Sequence, residues 1–155
     1  MDILSILTES DIDELAERLV PIIAQKLLVI HRVWGGESMG SRVSLGKNVV
    51  VNNALFNVES GNIVLEDEVF FGHNVSILTG KHDWTKKGLE RQYSIPNQGR
   101  DIVIRKGVWI ASNVTVIGPC DIGENSVITA GSVVTGNVSA NSIYGGSLAK
   151  FIKKI

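Results

Sequence analysis

One cysteine, three prolines and nine aromatic residues are all that the 155 positions hold of these types. A single thiol, Cys120, cannot close an internal disulfide. Charge of one sign is missing too. Fifteen basic residues stand against sixteen acidic ones, and a net charge of -1 supplies none of the cationic field that draws proteins to nucleic acid. No apolar run is long enough to cross a bilayer: LVPIIAQKLLVI, residues 19–30, is twelve residues long and contains Pro21, Gln25 and Lys26, against the ~20 residues of a membrane span. No transmembrane segment is expected. The opening MDILSILTESDIDEL has acids where a secretory signal has a basic start and an apolar core, so a cytoplasmic address is expected.

What is present is a 44% hydrophobic content, enough for one domain with a real core. Residues 1–32 read as an N-terminal helical segment. Ser10 is placed to cap it, Asp11, Asp13 and Glu14 suit a helix start, and Ile12, Leu15, Leu19, Ile22 and Ile23 share one side. Pro21 is expected to divide this helix in two, and its apolar side to be covered by the rest of the protein or a neighbouring subunit. RVWGGESMGSR then reads as a glycine-rich hinge.

From Leu45 onward the period becomes six, a β-helix repeat. The hexads LGKNVV, VNNALF, LEDEVF, FGHNVS, IRKGVW, IASNVT, VIGPCD, IGENSV, ITAGSV and VTGNVS begin at Leu45, Val51, Leu65, Phe71, Ile104, Ile110, Val116, Ile122, Ile128 and Val134. All ten first residues are large and apolar, as stacked inward positions require. The fifth residues, including Val49, Leu55, Val69, Cys120, Ser126 and Ser132, are mostly small or β-branched and form a second inward row. The fourth place holds Asn48, Asn74, Gly107, Asn113, Asn125, Gly131 or Asn137 in seven hexads, residues that tolerate the positive φ of a repeated corner. Spacing of six does not fit a helical turn, and three such strands closing one coil predict an all-β, parallel β-helix.

At this point residues 45–155 resemble the left-handed parallel β-helix of the hexapeptide-repeat acyltransferases, in particular the sugar O-acetyltransferases of the galactoside, maltose and capsule or O-antigen type. The residues that carry this are DIVIRKGVWIASNVTVIGPCDIGENSVITAGSVVTGNVSANSIYGGSLAKFIKKI, with a Val-Trp-Ile hexad, an Ala-Gly-Ser-Val-Val hexad and a Gly-Pro-Ala-Lys-like tail. Arg105, Ala111 and Leu148 depart from the family pattern. The resemblance implies a left-handed coil over 33–144 with an extended loop at 78–103, and a tail at 145–155 with a short C-terminal helix. It also implies a homotrimer, and acetyl-CoA as co-substrate in grooves between subunits. The positions that match the family's cofactor groove are Ser112, Ala130, Thr135, Gly136, Lys150 and Lys153. The small residues let pantetheine amides approach, and the lysines suit phosphates as point charges.

Between Ile77 and Val103 the beat stops, and KHDWTKKGLERQYSIPNQGRD is dense in charged and aromatic residues. Long excursions from compact domains are often functional. His82 in TGKHD matches the catalytic histidine of the related acetyltransferases, and histidine, with an ordinary pKa of ~6.5, can take a proton from an attacking hydroxyl near neutral pH. Asn57, Asp83 and Trp84 are candidates for substrate binding. For each there is a structural alternative: Asn57 satisfying a bulge, Asp83 a surface charge, Trp84 a loop pin. His73 is expected to point outward, and Cys120 to be core. The expected function is acetyl transfer from acetyl-CoA to a hydroxyl of a sugar or nucleotide-sugar acceptor, in surface polysaccharide assembly, with no metal required. Alternatives are N-acetyl transfer to a nucleotide-linked amino sugar, a zinc enzyme like the β-helical carbonic anhydrases using His31, His73 and His82, and a non-enzymatic coil cap.

Overall fold

The computed structural model describes residues 8–27, 32–34 and 42–155. Helix α1 (Glu9–Leu27) runs on through Pro21 as one element, in place of the two pieces expected. Its cap is Thr8, one step earlier than Ser10 would put it: the Asp11 N–H donates to Thr8 Oγ1 at 3.2 Å, and the Thr8 N–H and hydroxyl donate to Asp11 Oδ2 at 2.8 and 2.6 Å. This reciprocal pairing satisfies orphan donors of the first turn and holds the Asp11 carboxyl below the usual carboxylate range. Ile12, Leu15, Leu19 and Ile22 are exposed along the helix. No described helix is long and apolar enough to cross a membrane. His31, and the part of the expected hinge at 35–41, lie outside the described residues.

The remainder is a coil of three parallel sheets visited in rotation. The first face stacks β1 (Arg32–Trp34), β3 (Leu55–Asn57), β6 (Ser76–Leu78), β9 (Thr115–Ile117) and β12 (Val133–Val134). The second stacks β2 (Val43–Leu45), β4 (Ile63–Leu65), β7 (Ile102–Ile104) and β10 (Cys120–Ile122), and the third β5 (Phe70–Phe71), β8 (Trp109–Ile110), β11 (Val127–Ile128) and β13 (Ser142–Gly145). Trp109 pairs with Val127 and Thr115 with Val133, eighteen positions on, so three hexads make one rung. The strand at Arg32–Trp34 starts the coil inside what reads as a hinge.

Nine of the ten hexad-leading residues are buried, and they form one core with Val69, Val75, Val108, Val114, Cys120 and Val138 from the fifth places. Leu45 is the exception at 40% exposure, because β2 is the last strand of its sheet. The inward serines are satisfied within their own turns: Ser126 Oγ donates to the Gly123 carbonyl and Ser132 Oγ to that of Thr129, both at 2.6 Å. A small hydroxyl can therefore occupy an apolar row without the cost of an unmet donor. Burial, with the nearby Asp121 charge, pushes the Cys120 thiol up to about 12, so it stays protonated in the core.

Asn48, Asn74, Asn113 and Asn125 have φ between 54° and 59°, and Gly107 and Gly131 also take positive φ, as corner positions should. Asn137 does not. Glu68, in the corner place of LEDEVF, does so at φ 63° without being Asn or Gly. The second hexad is one residue short at its corner. Asn52 takes the positive φ there, and Ala54 and Phe56 point inward where Leu55 was expected. With a side-chain period of two, one lost residue exchanges the faces.

The C-terminal tail corrects the expectation of a helix. KFIKK forms strand β14 (Lys150–Lys154), antiparallel to β13, with Phe151 edge-on to Tyr144 at 5.8 Å. Five residues are too few to nucleate a helix, whereas the open edge of the third face offers unpaired backbone groups that a returning strand satisfies.

Candidate active site

One rung is longer than the rest. Ile77 pairs with Val116 and Ile63 with Ile102, thirty-nine positions on, so twenty-one residues beyond a regular rung leave the coil after β6 and return at β7. The stem of this loop is fixed by polar contacts. Thr79, fully buried, donates its hydroxyl to the Asn57 carbonyl at 2.8 Å and accepts the Ser60 N–H at 3.1 Å. Asn57 Oδ1 accepts the N–H groups of Gly80 at 2.9 Å and Glu59 at 3.2 Å. A Cβ at Gly80 would lie 2.5 Å from that oxygen, which is why the residue after Thr79 is glycine. On the return side Arg100 Nε donates to the Thr79 carbonyl at 2.7 Å, and Arg42 Nη1 donates to the carbonyls of Val58 and Asn97, both at 3.0 Å. Asn57 thus faces out of the core and holds the stem.

Above the stem the loop folds over a short helix, α2 (Gly88–Tyr93), none of whose residues is buried. His82 is exposed and its Nδ1 lies 3.1 Å from the Arg91 carbonyl. A carbonyl only accepts, so this bond places the imidazole hydrogen on Nδ1 and leaves Nε2 with its lone pair. Asp83 does not hold the ring. Its Oδ1 accepts the Thr85 N–H at 2.9 Å and hydroxyl at 2.7 Å, bonds that keep its carboxyl below the usual range. A cleft of about 440 Å³ opens here, lined by Lys81, His82, Asp83 and Trp84 on one strand of the loop and Ser94, Ile95 and Pro96 on the other. The Trp84 indole is 72% exposed at its rim, an open apolar platform beside a general-base candidate.

The other expected residues are distributed around the coil. Thr135 and Gly136 follow β12 on the edge from which the loop leaves, two rungs from Leu78, a separation of ~10 Å at the usual strand spacing. Ser112 and Ala130 sit on a different edge, between the third face and the first, where the Gly131 N–H donates to the Ser112 carbonyl at 3.0 Å. The Ser112 hydroxyl accepts the His73 N–H at 3.1 Å, so it braces the rung below. Lys150 and Lys153 are exposed on β14. One chain therefore assembles His82, Asp83 and Trp84 but does not bring the six cofactor candidates to one place. His73 is exposed on the coil, and among the described residues no three His, Cys, Asp or Glu side chains are grouped to hold a metal ion. Arg91 and Arg100 shape the site without a sequence signal of their own, whereas Thr79 opens the TGKHD stretch.

Comparison with known proteins bears on what such a site does. Residues 101–136 match the model of the bacterial transferase hexapeptide, six repeats. That stretch of the coil therefore carries the hexapeptide repeat of these transferases. A galactoside O-acetyltransferase of Escherichia coli is 34% identical to it over 122 residues, covering 76% of this chain and 57% of the relative. Among solved structures, a maltose O-acetyltransferase from Clostridium difficile 630 superposes with a TM-score of 0.68 at 30% identity, covering 81% of this chain and 64% of that one. A hexapeptide-repeat acetyltransferase from Vibrio cholerae in complex with acetyl coenzyme A matches with a TM-score of 0.67 at 27% identity, covering 75% and 62%. The chain spans somewhat over half the length of the curated relatives it matches. Within the hexapeptide-repeat stretch, Arg105 departs from the family pattern for a visible reason. Its guanidinium is clamped by Glu66 at 2.9 Å on the rung below and by Asp121 at 2.6 Å on the rung above, which raises its already high pKa.

Proposed function

We propose that this chain transfers an acetyl group from acetyl-CoA to a hydroxyl of a sugar, with His82 as general base. The observation that carries this reading is the bond from His82 Nδ1 to the Arg91 carbonyl at 3.1 Å, which leaves Nε2 free to accept a proton at the mouth of an open cleft. In the reaction Nε2 takes the proton of the attacking hydroxyl as its oxygen adds to the thioester carbonyl. The tetrahedral intermediate then collapses, the C–S bond breaks, and the CoA thiolate recovers the proton from the imidazolium. No covalent enzyme intermediate is needed. Trp84 offers its open face to the apolar side of a sugar ring, and Asp83, held ionised by Thr85, offers an acceptor to sugar hydroxyls.

The acetyl-CoA complex of the Vibrio cholerae neighbour and the names of the relatives support the donor. On this reading the coil winds left-handed, the reaction is cytoplasmic, and the acceptor belongs to surface polysaccharide assembly. The cofactor candidates of one chain lie on separate edges, and a homotrimer reunites them: pantetheine passes Thr135 and Gly136 of one subunit and Ser112 and Ala130 of the next, with Lys150 and Lys153 at the phosphates. Association is supported by an apolar stripe on the third face, where Val50, Phe70 and Trp109 are 51%, 44% and 43% exposed and the two rings stack at 5.8 Å.

The test is a screen of nucleotide sugars and polysaccharides with acetyl-CoA, reading released thiol, with light scattering on the same sample. Acetyl-dependent thiol release in the presence of one acceptor, by a trimer, is the expected result. A stable monomer at assay concentration removes the shared groove, and acceptor-independent thiol release removes the sugar reading.

A further inference from the structure

We propose that Arg91 is the positioning residue that fixes the tautomer and the aim of His82; this rests on reading His82 as the base. Arg91 acts through both its main chain and its side chain. Its carbonyl accepts from His82 Nδ1 at 3.1 Å, while Nε donates to the Lys86 carbonyl at 2.6 Å and Nη2 to the Trp84 carbonyl at 3.3 Å. One residue of α2 thereby ties down positions 82, 84 and 86 of the facing loop segment.

Little else could hold that carbonyl in place. No residue of α2 is buried and its first turn has no side-chain cap, so neither core packing nor an N-cap side chain fixes the helix against the loop. Beyond the backbone bonds of the helix itself, Arg91 N–H to the Lys87 carbonyl at 3.4 Å and Ser94 N–H to the Glu90 carbonyl at 3.0 Å, the contacts to the facing segment are the Asp83 N–H to the Ser94 carbonyl at 2.9 Å and the exposed Lys86–Glu90 ion pair at 2.7 Å. An exposed pair of this kind contributes little. The guanidinium, planar and permanently charged, meets two carbonyls at once, which a flexible ammonium does not reproduce. Without the Arg91 carbonyl as acceptor, a neutral imidazole carries its hydrogen mainly on Nε2, the atom that must be bare to act as a base.

Arg91→Met keeps the stem and removes the donors. Nitrogen-15 correlation spectra at alkaline pH, with His82→Ala giving the assignment, are expected to show the Nδ1–H tautomer in the wild-type chain and a mixture dominated by Nε2–H in Arg91→Met. Turnover is expected to fall by about 10- to 100-fold, less than full removal of a general base, with the Michaelis constant for acetyl-CoA unchanged. Arg91→Lys is expected to fall between. Lys86→Ala breaks the ion pair but keeps the backbone carbonyl, and is expected to leave both tautomer and turnover as in wild type. An unchanged Nδ1–H tautomer in Arg91→Met overturns the proposal, as does an equal tautomer change in Lys86→Ala, which would reveal general loosening of the loop. The spectra need no acceptor, so a tautomer change with undiminished turnover in both Arg91→Met and His82→Ala would refute His82 as the base and leave the positioning by Arg91 standing.

Discussion

The coil and the loop that leaves it meet the same demand, pairing backbone polar groups, by opposite means. In the coil each strand bonds to a neighbour one rung away, and the inward rows from Val51 to Val138 are sealed from water. In the loop no residue from 81 to 100 is buried, and order comes from arginine side chains reaching carbonyls and from the Asp83–Thr85 turn. A repeat spends its apolar residues inward and most of its corners on Asn or Gly, which fixes the path of the chain at every rung. The loop is released from that pattern and can expose His82, Trp84 and Lys81, while its stem borrows rigidity from Thr79 and Asn57 on the coil. Chemistry and stability are thus separable in this chain.

That separation can be broken most sharply at His82. His82→Ala is expected to lower turnover by ~10²–10⁴-fold, the usual loss for a general base, with the thermal midpoint unmoved. His73→Ala, on the coil, should stay within a few-fold of wild type. Near-normal turnover in the first variant and none in the second would put the site on the coil. The converse experiment pairs two apolar truncations in denaturant unfolding. Ile104→Ala, at a fully buried inward position, is expected to cost about 2–5 kcal/mol, and Leu89→Ala, 69% exposed on α2, no more than ~0.5 kcal/mol. Comparable losses would mean that the loop packs as the coil does.

Smaller effects sharpen the boundary between the two regions. A Cβ at Gly61 would lie 2.6 Å from the Arg100 carbonyl carbon, where the loop rejoins the coil. Gly61→Ala should cost about 1–3 kcal/mol by overpacking, and should raise hydrogen exchange at 95–100 more than in the rungs above 104. Uniform protection across both would deny that the stem couples them. The smallest change is a gain. Glu68 occupies a corner at φ 63° where other rungs use Asn or Gly, a conformation costing roughly 1–2 kcal/mol, against an exposed pair to Lys106 at 3.6 Å that contributes about 0–1 kcal/mol. Glu68→Asn should therefore stabilise by about 1 kcal/mol in the same unfolding assay, and a loss would show that the ion pair outweighs the strain.

The register error at Leu55 shows how sequence reading fails inside a regular pattern. Counting sixes assumes every corner has the same length, and the short turn around Asn52 moves Ala54 and Phe56 inward. The tail failed for a different reason. KFIKK folds back on the strand just before it, with Gly145 opposite Lys150, and that pairing is available only because β13 is left as the open edge of the third face. Thr8 displaced Ser10 as cap because Asp11 stands three residues beyond it and returns the bond.

By itself the sequence determined the coil: a large apolar residue every sixth place, with Asn or Gly at most of the turns, is a local requirement that nearly every hexad states for itself. It also marked the place where the pattern stops, and the histidine there. Only the tertiary structure decided what touches that histidine. The bond to the Arg91 carbonyl, the Asn57 oxygen on Gly80 and the clamp of Glu66 and Asp121 on Arg105 join residues nine to thirty-nine positions apart. Such pairings are set by where rungs stack and how far the loop reaches, and no residue's chemistry alone encodes them.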